Sequence, residues 1–320
     1  MESLLPLILL TIGFVALILG ANWLVNGATS VGIRAKMSPL IIGLTIVAFG
    51  TSLPEMIVNI FSCAKGSPGL AIGNIIGSNT MNILLILGVS SIIWPIDVSR
   101  ISIRRDIPVG FVATLAITLM ANDFFISRDA TVDVNWIEGI ILLLMGFGYF
   151  LLTFKNKGEA NTAEEVQSPL PWGKTILELF VGVVGLYAGG ELVSNNAQIL
   201  ARNWGMSEST IGLTVVATAT SLPELITSIV AALKKNSGIA IGNVLGSNIM
   251  NIFMVLGVSA LITPLPFEAM MNQQLIILFA ANCLMLLFVF TGKGRMISRW
   301  EGALLTMGYV GFMWFSLAVK

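Results

Sequence analysis

Histidine is missing altogether from these 320 residues. That removes the commonest proton shuttle and the commonest transition-metal ligand. A serine–histidine catalytic dyad is excluded with it. Cysteine is nearly absent: Cys63 and Cys283 both lie in apolar runs and read as small core residues, not a disulfide or metal site. Charge is thin as well. Only 11% of residues are charged, against about 25% in soluble globular domains. The 17 basic and 17 acidic residues cancel, so nothing points to a nucleic acid as partner.

What fills the chain instead is apolar. Hydrophobic residues make up 56% of it, and the mean hydropathy is +0.90. Runs of this kind place the chain in a lipid bilayer, where a spanning helix needs about 20 residues. The predicted fold class is an all-α polytopic membrane protein with ten transmembrane helices. They are expected at 4–28, 39–63, 69–94, 107–122, 136–154, 174–198, 208–233, 239–262, 272–291 and 300–318. The chain opens Met1-Glu2-Ser3 without the positive charge of a signal peptide, so 4–28 is expected as the first span. The 15 methionines are scattered through the spans as gap-fillers.

Basic residues set the orientation. With the N-terminus outside, the inner connections hold Arg34, Lys36, Arg100, Arg104, Arg105, Lys155, Lys157, Lys174, Lys234, Lys235, Lys293, Arg295 and Arg299. The outer side keeps Lys65, Arg128, Arg202 and Lys320. By the positive-inside rule both termini face out of the plasma (inner) membrane. The connection bearing Asp123, Asp129 and Asp133 is then an acidic outer loop. The polar stretch 155–173 reads as a short cytoplasmic linker between a first repeat at 1–154 and a second at 174–320.

The repeat itself is written in the sequence. Residues 42–55 read IGLTIVAFGTSLPE and 211–224 read IGLTVVATATSLPE; 69–83 read GLAIGNIIGSNTMNI and 238–252 read GIAIGNVLGSNIMNI. Both pairs align at one offset of 169 residues without a gap. Five spans per repeat is an odd number, so the second copy enters the membrane inverted. Secondary transporters recurrently use this plan and bind substrate near the midplane, where the repeats meet.

The repeats carry the chemistry. Of the 17 acidic residues, Glu55 and Glu224 are the ones set well inside apolar spans. A charge at the bilayer centre costs about 2.5–3.5 kcal/mol on insertion scales. No lysine or arginine lies at their depth, so a bound cation is the natural partner. Pro54 and Pro223 precede the two acids. Each proline lacks an N–H and crowds the carbonyl four residues back, which predicts a helix break near Gly50 and another near Ala219. Ala48, Thr51, Ser52 and Glu55 share one helical face, and Ala217, Thr220, Ser221 and Glu224 repeat it. Asn74, Ser78 and Asn82 form a stripe at four-residue steps, matched by Asn243, Ser247 and Asn251, with Asn79 and Asn248 one residue off. Carboxylates, hydroxyls and carbonyls are hard donors that suit Ca²⁺ and Na⁺. Gly43, Gly73 and Gly77, with Gly212, Gly242 and Gly246, are assigned to close helix packing.

GTSLPE (50–55) with GNIIGSNTMN (73–82), and ATSLPE (219–224) with GNVLGSNIMN (242–251), resemble the α-repeats of the cation/calcium exchanger superfamily, most nearly its prokaryotic sodium/calcium exchangers. The resemblance runs over essentially the whole chain. It implies an antiporter that exchanges Ca²⁺ for Na⁺ by alternating access. Glu55 and Glu224 would be the central calcium ligands, joined by the carbonyls of Thr51 and Thr220. Sodium would also use the carbonyls of Ala48 and Ala217 and the hydroxyls of Ser52, Ser78, Ser221 and Ser247. Asn82 and Asn251 would border the middle site. Many relatives have an aspartate where this chain has Asn251, so proton sensitivity, potassium co-transport and stoichiometry are not carried over. The expected partners are the two transported ions and the bilayer, with no cofactor and no obligate protein partner. A proton/calcium exchanger is the nearest rival. A passive cation channel and an intramembrane carboxylate enzyme are more distant ones.

Overall fold

The structure, a computed structural model, describes residues 4–122, 133–155, 168–204, 217–267, 271–291 and 294–318. It is helical almost throughout: α1 (Leu4–Ala35), α2 (Pro39–Ala64), α3 (Pro68–Ile93), α4 (102–120), α5 (Trp136–Lys155), α6 (Trp172–Asn203), α7 (Ala217–Thr220, then Leu222–Leu233), α8 (Ser237–Ile262), α9 (Met271–Thr291) and α10 (Arg299–Ala318). Among the described residues, α1, α2, α3, α5, α6, α8 and α9 are long and apolar enough to cross a membrane, and Leu222–Leu233 is a shorter apolar helix. The expected start of the seventh span, 208–216, lies outside the described residues.

Burial separates centre from rim. The apolar stretches of α3 and α8 are 78% buried and that of α2 is 67% buried, against 28% in α1 and α6. The repeats therefore form the core. The rim turns leucine, isoleucine and phenylalanine outward, as a lipid-facing surface should. Cys63 is buried as expected, but Cys283 is exposed on the rim, which corrects its reading as a core residue.

α1 and α6 pack antiparallel and close. A side chain on Gly20 would sit 2.8 Å from the Leu186 nitrogen, and one on Gly182 would sit 2.6 Å from the Leu24 nitrogen. Only glycine permits that approach, which lets dispersion act between the two backbones. Both helices run past their expected ends. Their polar residues meet partners there: Ser30 Oγ lies 2.9 Å from Thr175 Oγ1, and Arg34 bonds the Leu170 carbonyl and covers the Trp172 ring at 4.5 Å.

Two minimal strand pairs tie connections together. β1 (Ile96–Asp97) pairs antiparallel with β4 (Met296–Ile297), and β2 (Asp133–Val134) pairs with β3 (Leu265–Pro266). Each pair joins one connection from each repeat. Other contacts sort the connections onto two faces. On one face Lys235 covers Trp94 at 4.8 Å, Lys234 Nζ reaches Asn26 Oδ1 at 2.7 Å, and Ser237 Oγ donates to the Pro95 carbonyl at 3.3 Å. On the other, the Asn122 and Asn272 amides exchange bonds of 2.9 and 3.0 Å.

The proline expectation needs correction. Near Gly50 the helix does not break; Ala48–Ala64 continues through Pro54. Gly50 is clamped instead, since a side chain there would meet Leu24 and Val183 at 3.3 Å. The irregularity moves a turn earlier, to a π-helical segment at Gly43–Val47. In the second copy the helix does break, at Ser221 rather than Ala219. Pro223 then falls in the first turn of Leu222–Leu233, where a missing N–H costs nothing.

Candidate functional site

The four core helices bring the two motifs face to face. Glu55 is wholly buried and Glu224 is 1% exposed. Their carboxylates lie within electrostatic reach of each other, with Ser221 beside Glu55. Ser52 Oγ, from the first repeat, donates to Glu224 Oε1 in the second at 3.1 Å. Neither glutamate has a basic partner among the described residues, unlike Asp106 with Arg105 and Glu178 with Lys174.

Two asparagines lock the motifs across the repeats. Thr51 Oγ1 donates to Asn243 Oδ1 at 3.1 Å, and Thr220 Oγ1 donates to Asn74 Oδ1 at the same distance. Asn74 Nδ2 goes on to Asn59 Oδ1 at 3.0 Å, and Asn243 Nδ2 to Ser228 Oγ at 2.9 Å. Residues 51 and 220, 74 and 243, and 59 and 228 are all repeat equivalents, so this is one arrangement made twice. Thr51 also reaches the Ala48 carbonyl at 3.3 Å. The threonines thus bond between repeats and not only along their own helix.

Further along the stripes, Asn82 and Asn251 each open a π-helical segment, Asn82–Ile86 and Asn251–Leu256. Such segments recur at functional sites. Several buried oxygens have no hydrogen-bond partner: both of Glu55, Oε2 of Glu224, the hydroxyls of Ser78, Ser221 and Ser247, and Oδ1 of Asn82 and Asn251. A buried polar atom left unpaired costs about 1–3 kcal/mol. Their concentration on the two motifs marks a place for a ligand that accepts oxygen lone pairs. No three histidine, cysteine, aspartate or glutamate side chains cluster among the described residues, so donors beyond the two carboxylates are neutral.

Of the sequence-derived residues, Thr51, Ser52, Glu55, Ser78, Asn82, Ser221, Glu224, Ser247 and Asn251 are all buried, as is Ala48, whose carbonyl faces Thr51. Thr220 is partly buried. Ala217 opens the first piece of α7, and its side chain is outside the described part, as is Gly212. Gly43 packs on α8 as expected, a side chain there falling 2.9 Å from the Gly242 Cα. Gly246 meets Leu44 and Ala48 in the same seam; Gly73 and Gly77 have no such neighbour among the described residues.

Asn59 and Ser228 escaped the sequence reading, although each stands four residues beyond its glutamate on the same face. Three further acids are fully or almost fully buried. Glu138 accepts from the Asn135 nitrogen at 2.9 Å, and Glu301 from the Ser298 nitrogen at 2.7 Å. These are capping boxes at helix starts. Asp106 takes Arg105 Nε at 2.6 Å and the Tyr149 hydroxyl at 3.1 Å. All three are paired, which sets them apart from Glu55.

Bilayer-length helices wrapped around buried, uncompensated oxygens define a multi-pass membrane protein of the ion-carrier class. The sequence pattern described as sodium/calcium exchanger protein matches residues 5–155 and 174–318. The chain belongs to that family, within the prokaryotic branch of the cation/calcium exchanger superfamily. Its members are transporters. CaxA of Alkalimonas amylolytica is 36% identical over 318 residues, covering 96% of this chain and 97% of that one. The Ca(2+)/H(+) antiporter ChaA of Bacillus subtilis is 26% identical over 323 residues, covering 95% and 90%. Structures of the sodium-calcium exchanger NCX_Mj superpose with a TM-score of up to 0.83 at 32% identity, over 99% of both chains.

Proposed function

We propose that this chain is a secondary antiporter exchanging Ca²⁺ for Na⁺ by alternating access, built as ten spans in two inverted five-helix repeats with both termini outside. The observation that carries the reading is the set of buried oxygens around Glu55 and Glu224 without a basic partner. Two carboxylates balance one Ca²⁺, which takes 6–8 oxygen ligands in flexible geometry. The ion would be held by Glu55 and Glu224 with the carbonyls of Thr51 and Thr220. Na⁺ would add the carbonyls of Ala48 and Ala217 and the hydroxyls of Ser52, Ser78, Ser221 and Ser247, while the amide oxygens of Asn82 and Asn251 would border the middle site that both ions pass through.

Competition for shared oxygens is what makes an exchanger. Several Na⁺ would overcharge the site, while one Ca²⁺ neutralises it, so the two cargoes exclude each other. If more sodium charge than calcium charge crosses per cycle, each net charge is driven by about 2.3 kcal/mol per 100 mV. The inverted topology is supported by the sorting of alternate connections onto two faces and by strand pairs that each join the two repeats.

Proton coupling is the second reading, favoured by the likeness to ChaA. Proteoliposomes separate the two. Radioactive calcium uptake driven by an outward sodium gradient, and not by a proton gradient alone, is the expected result. Uptake driven by ΔpH without sodium would replace sodium by protons, and flux that never runs uphill would mean a channel.

A further inference from the structure

Asn79 and Asn248 sit one residue off the donor stripes, and the exchange reading gives them nothing to do. Their hydrogen bonds give them a task. Asn79 Nδ2 donates to the backbone carbonyl of Asn248 at 3.1 Å, and Asn248 Nδ2 returns a bond to the Asn79 carbonyl at 3.3 Å. A backbone carbonyl only accepts, so it fixes which end of each amide is nitrogen. Each Oδ1 must then point away from that carbonyl and take a donor. Asn79 Oδ1 takes Asn251 Nδ2 at 3.2 Å, and Asn248 Oδ1 takes Asn82 Nδ2 at 2.9 Å. With their nitrogens engaged, Asn82 and Asn251 are left with Oδ1 buried and unpaired.

We propose that Asn79 and Asn248 are positioning residues that set the rotation of the Asn251 and Asn82 amides, so that both turn oxygen and not NH₂ toward the transported cation. This rests on the cation-site reading above. The difference is one of sign. An amide turned over would aim its partial positive end at the ion, and the network sets the productive orientation before the ion arrives. The backbone carbonyls of α3 and α8 make the choice two bonds upstream of the ligand. All four amides are buried.

A carboxylate tests this, because its two oxygens leave it no wrong way round. Calcium KM and kcat are measured in proteoliposomes for Asn79→Ala, Asn251→Asp and the double variant, and likewise for Asn248→Ala with Asn82→Asp. Asn79→Ala should raise the calcium KM about tenfold, the lower end for loss of a ligand's supporting partner, with kcat changed less. In the Asn251→Asp background the same alanine should change KM by less than about twofold, a coupling that marks one shared task. An equal penalty in both backgrounds would make Asn79 merely structural and overturn the proposal. Loss of folded protein in both alanine variants without recovery by the aspartates would do the same. Glu55→Gln keeps the two ideas apart. If it abolishes exchange while both alanine variants keep a wild-type KM, only the positioning fails; wild-type exchange in Glu55→Gln removes the site itself.

Discussion

Glu55 and Glu224 occupy equivalent places in the two repeats, yet the backbone serves them differently. Glu224 stands in the first turn of Leu222–Leu233, just past the interruption at Ser221. A carboxylate there is favoured by the helix dipole, by about 0.3–1 kcal/mol, and it also holds the Ser52 hydroxyl. Glu55 lies inside the unbroken Ala48–Ala64, away from any helix start, with the Ser221 hydroxyl beside it. Near-identical motifs therefore give unequal supports. The second repeat sets its acid at a helix start, while the first sets its acid in mid-helix.

The strongest way to press that contrast is to remove the acids in turn. Glu55→Gln and Glu224→Gln should each abolish calcium exchange in proteoliposomes, and wild-type rates in either would dissolve the comparison. The serines sharpen it. Ser52→Ala takes a charge-assisted hydrogen bond from Glu224, worth about 1.5–3 kcal/mol, and should raise the calcium KM more than Ser221→Ala does. Equal effects would mean that the two sides are equally supported once the ion is in place. A third test leaves the site for the rim. Gly182→Val forces a branched side chain against the α1 backbone, and overpacking typically costs about 1–3 kcal/mol. A lowered midpoint in thermal unfolding in detergent is expected. The smallest effect belongs to Lys65→Gln, an exposed residue whose replacement should stay within about 0.5 kcal/mol and leave transport unchanged.

Much of the core was legible because it is written twice. A fixed offset of 169 residues pointed to Glu55 and Glu224, the hydroxyls around them and the asparagine stripes, and the structure buries them together. Hydropathy located the helices, since in lipid every backbone group must be satisfied within a segment. The break was misplaced for a tertiary reason. Gly50 looked like the weak point of α2, but Leu24 and Val183 pack against it, and the helical irregularity lies at Gly43–Val47 instead. Amide orientation lay beyond the sequence too, because it depends on backbone carbonyls of a helix 169 residues away. The capping boxes at Asn135–Glu138 and Ser298–Glu301 were there to be read in their spacing.

The little strand pairs have a consequence for biosynthesis. Ile96 and Asp97 find their complement in Met296 and Ile297, which the ribosome adds much later. The first repeat therefore waits, its clasp open, through some two hundred residues of synthesis. A fragment ending at the central linker would lack both clasps, so the two halves are expected to mature together rather than in succession.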